Sequence, residues 1–362
     1  MRTAYFPVYI LGAFFFSLIC LEGLFASTLH QEQTMERTAA VTRTMKTPFS
    51  TQFIGVYWPH LSHFSYNKNF HVRYSVNGKQ WSPWKEVFLM TEGPDEDQEP
   101  FDYGHLIYTK NANFIQFKTE KIDFSKIKLN EFNFVFIDSR KPPISLAKHK
   151  KIKRTIAGEE FLMTLREGWG ADESICWKTE NPTAQVSVTH LFIHHSTLHS
   201  HIPHEECDDA IRAYLEYHVK THGWSDIGYN YLVCPHGVLF QGRRFSAETT
   251  QDVIGAQVSK YNKGTLGICA MGSYRGDVHP SQELKITLYQ YLLWKVTQYG
   301  IDPLGQTPYT PAGASESQNL QTILGHKDAP LASTECPGET LHSVIPALRR
   351  DVSERLKPPP PK

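Results

Sequence analysis

The chain has 362 residues, enough for more than one well-buried domain, and 40% of them are hydrophobic. Lys plus Arg and Asp plus Glu both number 37, so the formal net charge is zero. That balance excludes bulk electrostatic attraction to nucleic acid or to an anionic membrane surface.

In chain order, Arg2 followed by an apolar run from Tyr5 to Leu21 reads as a secretory signal. Cleavage near Ala26 and Ser27 gives a signal segment over residues 1–26. The protein is expected to be exported, to a periplasm or to the outside of the cell at the wall. It would touch a membrane only if this segment stays uncleaved, since the run nearly reaches spanning length. Residues 27–49 are polar, Thr-rich and unpatterned, and read as a flexible leader. Residues 50–140 read as a small all-β domain. Val72, Tyr74 and Val76 alternate, Asn77-Gly78 has hairpin-turn chemistry, and residues 114–118 and 132–137 are further strands. Residues 92–102 make an acidic loop. The aromatics of this domain, Trp81 and Trp84 among them, are expected to fill its core, with a glycan-binding surface as the alternative. Residues 141–158 carry Pro142-Pro143 and a basic run through Lys153-Arg154, and read as a solvated linker.

Residues 159–357 read as a second domain of α/β class, a mixed central sheet flanked by helices. Val186, Val188 and Leu191-Phe192-Ile193 lead, as a buried strand, into His194-His195-Ser196. Side chains alternate along a strand, so only one of the two imidazoles can face a given side. Ile211, Tyr214, Leu215, His218 and Val219 fall at helical spacing before Gly223. Strands follow at 231–233, 238–241 and 266–270. A long helix capped by Ser281 ends at Gly300, and one last helix carries Leu341, Val344, Ile345, Leu348 and Val352. Residues 358–362 form a Pro-rich tail. Far downstream of His194 stand His326 and Cys336. One strand histidine, a second histidine and a cysteine make an N/N/S set with a fourth position free, the pattern of catalytic zinc. Outside the signal segment the cysteines are Cys176, Cys207, Cys234, Cys269 and Cys336, and an odd number marks one special thiol.

Several motifs occur together in a fixed order. They are Arg166-Glu167-Gly168-Trp169-Gly170-Ala171, Ile193-His194-His195-Ser196, Gly223-Trp224-Ser225-Asp226-Ile227-Gly228-Tyr229-Asn230-Tyr231, Gly242-Arg243, residues 267–272 and residues 326–338. Together they resemble the peptidoglycan recognition protein and type 2 N-acetylmuramoyl-L-alanine amidase family, over about residues 160–355. The β-domain is similar to one that precedes the amidase in some exported bacterial members. The resemblance implies one Zn2+ held by His194 (rather than His195), His326 and Cys336. It implies catalytic hydroxyls on Tyr229 and Thr334, and substrate contacts from His195, Trp224, Asn230 and Arg243. Zinc then lowers the pKa of a bound water to about 7 and polarises the scissile carbonyl. The implied reaction is hydrolysis of the amide between N-acetylmuramic acid and L-Ala in peptidoglycan or muropeptides. The alternative is a recognition protein that binds muropeptides without cutting. Non-catalytic members typically lose the metal cysteine, so Cys336 favours the enzyme. Some intracellular relatives carry a Glu on the central strand where this chain has Cys269, which leaves the proton carrier unassigned.

Three further expectations follow. Cys336 lies just before the last helix, whose N-terminal dipole favours its thiolate. Cys176 and Cys207 are expected to pair: both border the ligand strand in an oxidising compartment, and Cys207 matches a disulfide cysteine of animal relatives. Residues 159–357 are expected to fold and cut small muropeptides alone, with the β-domain raising activity on insoluble wall.

Overall fold

The computed structural model describes residues 29–36, 44–60, 70–95, 100–119, 131–141, 151–156, 158–177, 187–198, 202–245 and 251–357. The expected signal segment and Pro-rich tail lie outside these residues.

Seven strands build the first sheet: β1 (Leu29–Glu36), β2 (Met45–Pro59), β3 (Phe70–Ser75), β4 (Lys85–Glu86), β5 (Phe101–Tyr103), β6 (Ile107–Thr119) and β7 (Glu131–Asp138). Their order is β1-β7-β2-β6-β3-β4, with β5 added against β2. Strand periodicity gives this sheet two apolar faces. Ile54, Val56 and Trp58 of β2 meet Phe132, Phe134 and Phe136 of β7, with Phe70 and Phe117, in an aromatic core internal to the domain. That bears out the core reading of most of the aromatics. Trp81 and Trp84 instead flank the Arg73 guanidinium at 5.1 and 4.6 Å.

The stretch read as a leader needs correction. Residues 29–36 form β1, registered on β7 from Leu29 opposite Asp138 to Glu36 opposite Glu131. Its polar sequence hid it, because a strand at the end of a sheet draws its stability from the ladder rather than from an apolar face.

The second sheet contains β8 (Lys151–Ile156), β9 (Glu159–Thr164), β10 (His190–His195), β11 (Tyr231–Val233), β12 (Leu239–Gln241), β13 (Thr265–Ala270) and β16 (Ile323–Gly325), in the order β16-β10-β13-β11-β12-β9-β8. Strands β16, β10, β13 and β11 run parallel, while β12 opposes β11 and β8 opposes β9. The mixed α/β class is therefore as expected. A hairpin, β14 (Gln306–Tyr309) with β15 (Gln318–Gln321), stands apart. The basic run read as linker is β8, the end strand of this sheet. Lys and Arg on such an edge protect it from pairing with other chains.

The α-helices of the second domain among the described residues are α1 (Arg166–Trp169), α2 (Cys207–Glu216), α3 (Gln282–Tyr299), α4 (Glu339–His342) and α5 (Ile345–Leu356). The hydroxyl of Ser281 accepts from Leu284 N at 3.0 Å, and Gly300 closes α3 at φ +66°, both as the sequence indicates. The last helix is not continuous. It breaks between α4 and α5, with Pro346 in the first turn of α5. Helices α3 and α5 pack with Leu191, Ile193, Val233 and Ile268 on one side of the sheet, and α2 lies on the other.

The two domains share a core. Phe53, Tyr108, Val135 and Ile137 from the second face of the first sheet cluster with Trp169, Ile211, Tyr214, Tyr217 and Tyr229. Polar contacts seal the seam: the Tyr217 hydroxyl donates to Gly104 O at 2.9 Å, and Gln52 Nε2 to Asp209 Oδ2 at 2.8 Å. Without the first domain, the α2 face of the second would be left as an exposed apolar surface. Gly55 is fixed by the same seam, since a Cβ there would sit 2.5 Å from the Tyr217 ring. Heating the full chain should give one cooperative transition. Gly55→Leu should lower its midpoint through overpacking worth about 1–3 kcal/mol. Two separated wild-type transitions, or an unchanged Gly55→Leu midpoint in calorimetry, would contradict the shared core.

Candidate metal centre

The alternation of β10 separates its two histidines. Leu191 and Ile193 face the α3 side, so His194 faces the opposite side, where Cys269 of β13 is its registered neighbour. The imidazole of His194 is oriented by Gln257, whose Oε1 lies 2.5 Å from Nε2. Nε2 therefore carries the proton, and the Nδ1 lone pair points into the site. Gln257 is itself fixed: its Nε2 donates to Thr265 Oγ1 at 3.0 Å, and its backbone N–H donates to Asn262 Oδ1 at 2.7 Å. Gly267 leaves room for it, since a Cβ there would meet the Gln257 side chain at 2.7 Å.

His326 opens a single 3-10 turn after β16, braced by Gly325 N–H donating to Asp328 Oδ2 at 2.8 Å. Its ring centroid is 4.8 Å from that of His194. The Cys336 sulfur lies 3.6 Å from His194 Nδ1 and receives the His195 backbone N–H at 3.3 Å. The Cys336 loop is held by Lys327 N–H donating to Cys336 O at 2.8 Å, and by Cys336 N–H donating to the Thr334 hydroxyl at 3.1 Å. A fourth group joins these three side chains. Glu92, from the acidic loop of the first domain, brings a carboxylate oxygen so that all four donor atoms lie within 4.8 Å of one another.

This set fits zinc. Among the described residues, His326 Nδ1 is buried with no hydrogen-bond partner, and His194 Nδ1 has only the thiol beside it. Lone pairs left dry in this way cost free energy unless a cation uses them. Burial keeps both imidazoles neutral, with His194 lowered to about 4 and His326 well below its ordinary value, so each is ready to donate a lone pair. Burial raises the Cys336 thiol well above its ordinary value, with the nearby Glu92 carboxylate adding to this and the His195 N–H opposing it. The expected dipole assistance is minor, because α4 is one short turn. Glu92 is pushed up to about 7 by burial, against backbone hydrogen bonds and that from Tyr229.

Tyr229 is fully buried, with its hydroxyl donating to Glu92 Oε1 at 3.2 Å and its ring 5.4 Å from the His194 ring. It therefore lies beside the donor set. Thr334 is half-buried, and its hydroxyl accepts from Cys336 N, so its observed role is to shape the cysteine turn. The four expected substrate contacts are placed otherwise. His195 is completely buried, and its Nδ1 accepts from Tyr274 N at 3.4 Å. Trp224 packs 4.7 Å from the rings of both His218 and His222. Asn230 donates to Val253 O at 2.7 Å and accepts from Gly267 N at 3.0 Å. Arg243 donates to Ile227 O and Ile254 O at 2.8 and 2.6 Å. All four are buried, and these contacts are to groups within the second domain. The expected disulfide is not formed either. Cys176 lies against Arg166 and Asp226, while Cys207 sits beside the thiol of Cys234.

Residues 184–339 match the family described as N-acetylmuramoyl-L-alanine amidase. Over those residues the chain is similar to that family. Peptidoglycan-recognition protein LB of Drosophila melanogaster is 29% identical over 162 residues, which are 44% of this chain and 59% of that protein. The N-acetylmuramoyl-L-alanine amidase of Sus scrofa is 24% identical over 183 residues, 49% of this chain and 25% of that protein. The similar region thus spans less than two thirds of either relative. The solved structure of wild-type Drosophila PGRP-LB aligns at 27% identity over 51% of this chain and 91% of that one, with a TM-score of 0.39. The three N/N/S donors, His194, His326 and Cys336, all lie inside the family region or at its strand.

The protonation states set how a metal should enter this site. Zinc takes the thiolate, whereas the metal-free thiol is protonated and the histidines are neutral. Above pH ~8, where Glu92 is already ionised, uptake should release about one proton per zinc, all of it from Cys336. Cys336→Ser should abolish both uptake and release. Calorimetry in buffers of different ionisation enthalpy counts the proton, and a count of zero at that pH would contradict the assignment.

Proposed function

We propose that the protein is a zinc-dependent N-acetylmuramoyl-L-alanine amidase. It hydrolyses the amide between N-acetylmuramic acid and L-Ala in peptidoglycan or muropeptides, outside the cytoplasm. The observation that carries this reading is the buried N/N/S donor set with Tyr229 beside it, on a domain of the amidase family. Relatives named as amidases and as recognition proteins share the domain, and retention of Cys336 favours the enzyme. The signal-like start of the sequence supports export.

When bound, zinc would supply Lewis acidity, lowering the pKa of a water it holds and polarising the carbonyl under attack. The chain supplies the rest. Gln257 fixes the tautomer and aim of His194. The His195 N–H stabilises charge on the Cys336 sulfur. Tyr229, held as a neutral phenol because burial raises its pKa well above the ordinary value, can donate a hydrogen bond to oxygen that gains charge in the transition state. Thr334 adds a hydroxyl to the loop that carries the sulfur.

Purified sacculi and soluble muropeptides should be digested to free stem peptides and intact glycan, with activity lost to chelator and restored by zinc. Tyr229→Phe should keep zinc while losing about 10²–10³ in turnover, the usual effect of one such donor. Mass spectrometry of the products and metal analysis of the same preparations check both. Products cut within the glycan or within the stem, or wild-type turnover by Tyr229→Phe, would sink this reading.

A further inference from the structure

The two-domain architecture sends one side chain where a chain with an independent accessory domain would not. The segment after β4 crosses the seam, pinned on both sides of Glu92. Met90 N–H donates to Tyr103 O at 2.8 Å, while Gly93 O and Asp95 Oδ1 accept from Asn262 Nδ2 at 2.9 and 2.7 Å. Asn262 is also the residue that accepts from Gln257 N, so one side chain positions both the His194 orienting group and the Glu92 segment. The Glu92 side chain is 1% exposed. One carboxylate oxygen receives the Tyr229 hydroxyl at 3.2 Å and lies 3.9 Å from His326 Nδ1. The other receives Thr91 N–H at 3.0 Å and lies 3.6 Å from His105 Nε2, an imidazole that burial keeps neutral.

A buried carboxylate without a cation is costly. No Lys or Arg pairs with Glu92 among the described residues, whereas three metal donors face it. Four protein donors in a dry enclosure is the coordination of a closed zinc site, whereas a catalytic site keeps one position open. The carboxylate also takes the hydrogen bond that Tyr229 would otherwise offer to a substrate oxygen. We propose that Glu92 is a fourth ligand of the metal centre, delivered by the β-domain, and that it holds the amidase in a latent state until the segment carrying it withdraws. The proposal rests on the zinc-amidase reading above. The segment borders open space: a cleft of about 730 Å³ is lined by Met90, Glu92, Gly93, Phe101, Tyr103 and His222.

The test uses the full chain, with zinc and cobalt(II) as probes and acetohydroxamate as a small metal-seeking ligand. Glu92→Gln keeps the shape of the side chain, Glu92→Ala empties the position, and Asp95→Asn loosens the anchor while leaving the carboxylate in place. Thermal melts confirm that each variant is folded. In the wild type, the cobalt spectrum should be four-coordinate and unmoved by acetohydroxamate. In both Glu92 variants the spectrum should shift on adding it, and zinc should bind at least about tenfold more weakly, the lower end of what disturbing even an outer partner of a metal ligand costs. Zinc-saturated Glu92→Ala should cut a soluble muropeptide faster than the wild type, with Asp95→Asn between them. Wild-type and variant proteins with the same zinc affinity and the same response to acetohydroxamate would overturn the ligand assignment. A fully loaded Glu92→Ala that has lost turnover would show that the carboxylate works in the reaction, and would overturn latency. A wild type that takes up no metal would instead remove the zinc reading itself.

Discussion

The structure depends on keeping unshared lone pairs dry. Two neutral imidazoles and a thiol, each buried to about its last atom, face one point between β10, β16 and the loop before α4. Among the described residues, nothing satisfies His326 Nδ1. Such an arrangement is unfavourable alone and favourable around a cation. Much of the surrounding chain follows from that requirement. Gln257 must hold one tautomer, Gly267 must be small enough to admit Gln257, and the cysteine turn must bring sulfur to the end of a strand more than a hundred residues upstream.

The same requirement explains the first domain better than wall binding does. Its aromatic residues are mostly spent in its own core, and its second face is joined to α2. What it contributes to the site is the segment that carries Glu92. A domain fastened by a continuous apolar seam can place a carboxylate reproducibly, which a tethered, mobile domain could not. The arrangement couples the fold of one domain to the electrostatics of the other.

The strand that ends in His194-His195 was legible because a buried parallel strand is a run of apolar residues with little else it could be. The α3 boundaries were legible from Ser281 and Gly300, whose capping chemistry is local. His194, His326 and Cys336 were legible only together and in order, and alternation along β10 then explains why the first histidine serves. Strands β1 and β8 were missed for one reason. Each is polar or basic, and edge strands need no apolar alternation to be held. Glu92 was missed because it stands in an acidic stretch that looks solvated, and no local pattern signals a contact across a seam. His195, Trp224, Asn230 and Arg243 are substrate contacts only by what the family resemblance implies. Their hydrogen bonds and packing run inward, which only the tertiary structure reveals.

The central claim is that the two domains jointly build one zinc site with a single sulfur. X-ray absorption at the zinc edge of the full-length protein addresses it without reference to activity. The account expects one sulfur at about 2.3 Å and three nitrogen or oxygen neighbours at about 2.0–2.2 Å, with two of them showing the outer-shell scattering of imidazole. Cys336→Ser should lose the sulfur shell. A zinc edge with no sulfur neighbour in the wild type, or with more than one, would contradict it.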